Sequence, residues 1–251
     1  MNDISINQHN IEIQQNLKYW ANKPILQTIY MEFYRIINEH INSSTQGKIV
    51  ELGSGIGNIK MLIPNSICTD IFENPWIDQV ENLYSLSFAD NSVSTLILFD
   101  VFHHIQYPGS ALHEFNRVLI PGGQIIIFDP SISLTGRIVY GLFHHEPIGW
   151  FKKIKWFTPK NFNPWDSPYY ASQGNSSRIF FSKKYLSYLT DFSITVKLKF
   201  SAFSYILSGG YSKPQLFASK HFNKIKKVEK ILDYFPILFS TRSLVVLNKM
   251  K

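Results

Sequence analysis

Cysteine is nearly absent: Cys68 is the single one in 251 residues. That excludes a disulfide framework and any zinc site built from several cysteines. Long apolar runs are also missing. A membrane-spanning helix needs ~20 apolar residues in succession, and the best candidate, "ILDYFPILFSTRSLVVL", is interrupted by Asp233, Pro236 and Arg242. The opening "MNDISINQHN" has neither the basic region nor the apolar core of a secretory signal, so a cytoplasmic location is expected. Acidic residues are scarce in one half. Residues 1–150 carry 7 Lys+Arg against 14 Asp+Glu, a net −7, whereas residues 151–251 carry 18 against 4, a net +14. Such a split points to an anionic partner for the second half, whether nucleic acid, anionic lipid or a phosphorylated substrate. A basic face that serves only solubility is the plain alternative.

What is present begins with a helical pattern over the first ~45 residues, in which Ile25, Ile29, Phe33, Ile36 and Ile37 fall on one face. Short apolar runs rich in β-branched residues follow at 48–52 (KIVEL), 66–71 (SICTDI), 94–99 (STLILF) and 124–129 (QIIIFD). Apolar at nearly every position, they suit strands of a parallel sheet covered on both faces. "SALHEFNRVL" (110–119) puts Leu112, Phe115, Val118 and Leu119 on one side and stops at Pro121-Gly122-Gly123, read as a turn into the next strand. This βαβ succession predicts a doubly wound α/β sheet. Residues beyond 130 are rich in Pro, Trp, Tyr and Phe without clear periodicity and read as an insertion. Half-exposed strands return at 193–203 and 242–249.

"VELGSGIGN" (50–58) places three glycines at alternate positions behind an acidic residue, between a buried strand and an expected helix whose amino terminus would supply donors. A triphosphate loop would need Lys-Ser or Lys-Thr after the glycines, and none follows. A dinucleotide fingerprint would need its third glycine at position 58, where Asn58 stands instead.

At this point the sequence resembles class I S-adenosylmethionine-dependent methyltransferases of the type 11 kind. Glu51-Leu52-Gly53-Ser54-Gly55-Ile56-Gly57 is similar to their first motif, and Asp70 closes the next strand in "CTDI". "LSFADNSVSTLILFDVFHHI" (86–105) and "HEFNRVLIPGG" (113–123) match two further motifs in order. The resemblance implies a Rossmann-like fold, with a mostly parallel seven-stranded sheet, helices on both faces and an antiparallel last strand. It also implies S-adenosylmethionine as cofactor. The residues carried over to hold it are Glu51, Gly53, Ser54, Gly55, Gly57, Asp70 for the ribose hydroxyls, Ile71, Asn82 and Leu83 near the adenine, Phe99 and Asp100. Two positions depart from the pattern. Val93-Ser94 stands where Phe-Asp is usual, and Asn82-Leu83 replaces an acidic-Ala pair. A loop-bracing role is the alternative for Glu51.

His103 and His104 follow the strand at 94–99, and His104 is the first candidate for general base, with a structural or cofactor-lining role as its alternative. "FHHEP" (143–147) adds His145 and Glu146 as further catalytic candidates; lacking the H-E-x-x-H spacing, it is not expected to hold a metal. Tyr19 and Trp20 are candidates either to close over the cofactor or to pack in the core. The insertion at 136–157 interleaves aromatics with Lys152, Lys153 and Lys155, which suits a membrane-surface element, a lid, or core with solvated lysines. "FSYILSGGYS" (203–212) is a candidate lining for an acceptor pocket.

No Asp/Asn-Pro-Pro-aromatic motif follows Phe99-Asp100-Val101, so amino methylation of DNA bases is not expected, and no Pro-Cys nucleophile exists for cytosine carbon methylation. The chain as a whole, including "RIVYGLFHHEP" (137–147) and "FSYILSGG" (203–210), resembles methyltransferases of bacterial cell-surface polysaccharide clusters. This implies a small-molecule acceptor or a lipid- or nucleotide-linked glycan, methylated on a sugar oxygen, with peripheral contact of the basic C-terminal half at the inner membrane face. Methylation of RNA or protein by that basic half, or a non-catalytic binding role, are the alternatives. One domain is expected, with a helical cap (1–45), a cofactor-binding core (46–130), an aromatic and basic insertion (131–192) and C-terminal strands with substrate-side elements (193–251).

Overall fold

The computed structural model describes residues 3–143, 148–149, 153–166 and 170–250. Seven strands form one sheet: β1 (Lys48–Leu52), β2 (Ile67–Asp70), β3 (Gln79–Val80), β4 (Val93–Phe99), β5 (Leu119–Pro130), β6 (Phe192–Phe200) and β7 (Arg242–Lys249). Their spatial order is β3-β2-β1-β4-β5-β7-β6. All pairs from β3 to β5 are parallel, and β7 runs antiparallel to both β5 and β6. The sheet is thus the expected seven-stranded one with an antiparallel last strand.

Alternation along the strands divides the apolar core in two. Leu96, Leu98, Ile125, Ile127, Val245 and Leu247 face one side, where α3 (Pro108–Val118) and α5 (Asn175–Phe180) contribute Phe115 and Phe180. Ile97, Phe99, Ile126, Phe128, Leu244 and Val246 face the other. There α2 (Pro24–Glu39) lays down Ile29, Phe33 and Ile37, the stripe its spacing predicts. Central β4 is buried at all seven positions, whereas edge strand β6 alternates half-buried Ile194 and Val196 with exposed Ser193 and Thr195. The remaining α-helices among the described residues are α1 (Asp3–Asn22), α4 (Leu134–Phe143), α6 (Phe203–Ser208), α7 (Phe222–Leu232) and α8 (Pro236–Phe239).

Two local expectations are corrected. Pro121-Gly122-Gly123 lies inside β5 rather than before it. Register with β4 jumps from Val93↔Leu119 to Thr95↔Gln124, and Gly122 has φ +76°, so the sequence marks a bulge that keeps both ends of a long strand paired. The glycine loop is followed by a four-residue 3₁₀ turn, Asn58–Met61, rather than by a helix. Pro64 and a short return to β2 leave no room for helical turns, so the loop's donors must come from its own backbone.

Candidate functional site

Strand order reverses between β1 and β4, and their carboxyl ends open the crevice where ligands of such sheets bind. The glycine loop leaves β1 there with Gly53, Gly55 and Gly57 all at positive φ (71°, 55° and 65°). These glycines are not equivalent. A Cβ on Gly57 would stand 2.6 Å from the carbonyl oxygen of Trp76, and one on Gly53 would stand 2.5 Å from Val101, so both permit close packing of the protein on itself. Gly55 faces open space, with nothing within 4 Å of its would-be Cβ.

The loop is pinned to β2. Ser54 N–H donates to the Thr69 carbonyl (2.8 Å), and Gly55 N–H donates to Asp70 Oδ2 (2.9 Å). Asp70 Oδ1 accepts from its neighbour Ile71 N–H at 2.7 Å. Each carboxylate oxygen retains a second lone pair for a ligand hydroxyl. Glu51 is 3% exposed, and its Oε2 is buried without a hydrogen-bond partner. Burial pushes its carboxyl up to about 8, against an opposing hydrogen bond from Ser54, with nearby Asp70 adding to the rise. A buried orphan oxygen, an open glycine and a carboxylate with spare acceptors fit the ammonium, the backbone approach and the ribose diol of S-adenosylmethionine.

Helix α1 covers the outer side of this loop. His9 Nε2 lies 3.6 Å from Asp70 Oδ1, and its ring packs 4.9 Å from Phe72. Asn82, expected near the adenine, is buried, with its amide donating to the Pro164 carbonyl (2.9 Å) and its oxygen accepting from Tyr84 N–H (3.0 Å). Leu83 packs against the α3-side core.

The second wall is the carboxyl edge of β4, β5 and the start of β7. Asp100, at φ +56°, ion-pairs with Arg242, which is 2% exposed and faces the rings of Phe33, Phe99, Phe128 and Tyr205. Burial raises the Asp100 carboxyl above the usual range, with Arg242 and His103 opposing. His103 Nδ1 is 2.8 Å from Oδ1 of fully buried Asp129. His104 Nδ1 is 3.0 Å from the Tyr170 carbonyl. In each ring Nδ1 faces an obligate acceptor, so it carries the proton and Nε2 is the basic atom.

Beside both walls lies a group of phenols, two buried (Tyr30, Tyr34) and two half-buried (Tyr205, Tyr211). Tyr30 and Tyr34 stand one turn apart on α2; Tyr205 comes from α6 and Tyr211 from the following turn. The Tyr205 ring packs edge-on against Tyr30 (6.1 Å) and lies 4.5 Å from the Arg242 guanidinium, and Tyr211 accepts from Asn58 of the glycine loop at 3.0 Å. Burial raises all four phenols, which keeps them neutral hydrogen-bonding groups. The turn itself is tied to α2 by buried Lys23, whose ammonium donates to the carbonyls of Ser208 (3.1 Å), Gly210 (2.7 Å) and Lys213.

The structure therefore brings Glu51, Gly53, Ser54, Gly55, Gly57, Asp70 and Ile71 together on one wall, and Phe99, Asp100 and His104 on the other. Tyr19 and Trp20 pack against the Tyr30 and Tyr211 group, with Tyr19 also donating to the Ser212 carbonyl. His145 and Glu146 lie outside the described residues. The sequence reading missed Arg242, the His103–Asp129 pairing and the α2 phenols Tyr30 and Tyr34, while the segment 203–212 that it named as a candidate lining carries Tyr205 and Tyr211. Arg242 had a signal, a lone charge opening the apolar run "SLVVL". The meeting of segment 203–212 with Tyr30 and Tyr34 had none, the two lying ~170 residues apart, a separation along the chain that local pattern does not read.

Residues 51–127 match the family model described as a methyltransferase domain. The Escherichia coli (strain K12) protein YafE, itself described as uncharacterized, is 47% identical over 45 residues, a match covering 18% of this chain and 22% of YafE. The chain thus spans about a fifth of the length of that curated relative. Among solved structures, a SAM-dependent methyltransferase from Thermotoga maritima superposes with TM-score 0.54 at 12% identity, covering 96% of this chain and 99% of that one. A SAM-dependent methyltransferase from Archaeoglobus fulgidus gives TM-score 0.52 at 13% identity over 89% and 94%. The fold is that of these enzymes, and the matched domain supports a methyltransferase with S-adenosylmethionine as its cofactor.

Proposed function

We propose that the protein is an S-adenosylmethionine-dependent methyltransferase for a hydroxyl of a small-molecule or glycan acceptor, most specifically a sugar oxygen in surface polysaccharide biosynthesis. The observation that carries this reading is the pairing of two unlike walls across one crevice: a glycine loop with an orphan Glu51 oxygen, and an imidazole pair beside it. When bound, the cofactor supplies an electrophilic methyl on a sulfonium. Glu51 and Asp70 hold its ammonium and ribose, and Gly55 leaves it room.

His104 Nε2 takes the acceptor's hydroxyl proton, with Tyr170 fixing the tautomer; the phenols and Arg242 orient hydroxyls and exclude water. A second assignment, His103 as base, is favoured by its 2.8 Å contact with buried Asp129, which would stabilise the imidazolium. The basic C-terminal half holds the diphosphate of a lipid- or nucleotide-linked acceptor and touches the membrane where a lipid-linked acceptor resides.

Transfer of labelled methyl into fractionated extract of the source cells tests the acceptor. Label in the lipid-linked glycan fraction is the expected result, and label confined to RNA or protein would overturn it. With the acceptor in hand, His104→Asn should slow transfer by roughly 10²–10⁴-fold with cofactor affinity kept. A loss confined to His103→Asn would move the base to that residue.

A further inference from the structure

The corner formed by α7 and α8 exposes an apolar surface that the fold does not use. Val228 (52% exposed) and Ile231 (62%) lie on one face of α7 with Lys224 and Lys227, at i, i+3, i+4 and i+7 spacing. The chain then turns through Tyr234 (82%), Phe235 (55%) and Ile237 (83%) into α8. The patch continues onto α4, which is joined to α8 by Thr135 Oγ1 donating to the Leu238 carbonyl (2.8 Å) and exposes Leu134 and Ile138. Beside it, between α6 and α7, lies a groove of about 370 Å³ with Phe203, Leu207, Val228 and Leu232 in its walls and Lys224 at its rim. An apolar patch of this kind marks an interaction surface.

Charge selects the partner. Lys220, Lys224, Lys227 and Lys230 are exposed around the patch, and none has an ion-pair partner among the described residues. Of the segment's two acids, Glu229 is buried and pairs with Lys226, and Asp233, though exposed, accepts from Ser201 N–H and Oγ (2.6 Å each). A second copy docking about a two-fold axis would set lysines against lysines. A nucleic acid would leave Tyr234, Phe235 and Ile237 in water. Aromatic and aliphatic side chains at a tip, ringed by lysines, match the headgroup boundary of an anionic bilayer.

We propose that the α7–α8 corner docks on anionic membrane surface, with Phe235 and Ile237 entering the acyl boundary and the lysines engaging lipid phosphates. This names the surface for the membrane contact proposed above and rests on that reading of the partner, but not on methyl transfer.

The test is flotation of the full chain with vesicles of phosphatidylcholine alone or with about 30% phosphatidylserine, at low salt and at about 0.5 M salt. Binding should require the anionic lipid and weaken with salt. Ile237→Asp, at a position 83% exposed, should reduce binding by roughly tenfold or more with the melting temperature unchanged, and Lys224→Glu with Lys227→Glu should do the same. No binding to anionic vesicles, or binding indifferent to Ile237→Asp, would overturn the proposal. So would a dimer in sedimentation velocity that Ile237→Asp dissolves, or salt-sensitive RNA binding that only the lysine changes abolish. Methyl transfer into glycan without vesicle binding would sink this inference alone; vesicle binding with label confined to RNA or protein would sink the acceptor reading alone.

Discussion

The two walls of the crevice are built in opposite ways. The β1–β2 wall is made from twenty-one consecutive residues, Glu51 to Ile71, and its contacts are backbone groups held by glycines and the two carboxylates Glu51 and Asp70. The β4–β5–β7 wall is made from side chains that arrive from distant segments: Tyr30, Asp100, His103, Asp129, Tyr205 and Arg242. A backbone-built wall can bind the same ligand part in many proteins, because it asks only for glycines and an acid at set spacing. A side-chain wall can be redrawn one residue at a time. On the proposed reading, the first wall takes the common cofactor and the second the particular acceptor.

Damage to the second wall should be costliest where charge is buried. Replacing Arg242 with Met leaves the part-exposed Asp100 carboxylate without its partner at an apolar edge, and we expect a loss of stability, read by denaturant unfolding. Adding Asp100→Asn should recover part of it. A neutral Arg242→Met would mean that the ion pair is dispensable and that the wall is held by aromatic packing alone.

On the first wall, two glycines separate folding from binding. Gly57→Ala combines positive φ with a Cβ driven onto the Trp76 carbonyl and should cost about 2–4 kcal/mol. Gly55→Ala meets no atom, so about 1 kcal/mol of backbone strain is expected, yet its methyl enters the space assigned to the cofactor and should abolish binding of S-adenosylhomocysteine. Equal effects of the two changes, in melting and in calorimetry, would erase the distinction.

A smaller effect comes from Glu51. Its carboxyl is raised in the fold from 4.5 to about 8, so the folded chain holds the proton more tightly than the unfolded one. The stability this group contributes is therefore complete below about 4.5 and is lost as pH rises toward 8. A cofactor ammonium favours the ionised form, so binding at pH 7 should release a fraction of a proton. Calorimetry in buffers of different ionisation enthalpy should detect the release, and Glu51→Gln should remove both it and the pH slope.

The same contrast explains what could be read from sequence. β1 falls on the apolar run that predicts it, because a strand buried in a covered sheet must be largely apolar. β7 occupies the expected residues but is buried at six of its eight positions rather than half-exposed, because it lies inside the sheet between β5 and β6. The Pro121-Gly122-Gly123 turn was misplaced because a bulge and a turn ask for the same residues. The absent helix after Gly57 was not legible, since its place is taken by a connection whose only signal is shortness. Of the candidate site, the glycine loop and Asp70 were legible as one local motif. The pairing of His103 with Asp129, and of Arg242 with Asp100, needed the sheet, because only strand order makes residues 26 and 142 apart in sequence into neighbours.

The central claim is that the β1–β2 wall is the cofactor site, and titration of S-adenosylhomocysteine into the full chain by calorimetry, with Asp70→Ala as comparison, tests it most directly. The account predicts saturable binding to the native chain, weakened at least tenfold when the carboxylate that receives the ribose diol is removed. No binding to the native chain, or undiminished affinity in Asp70→Ala, would contradict it.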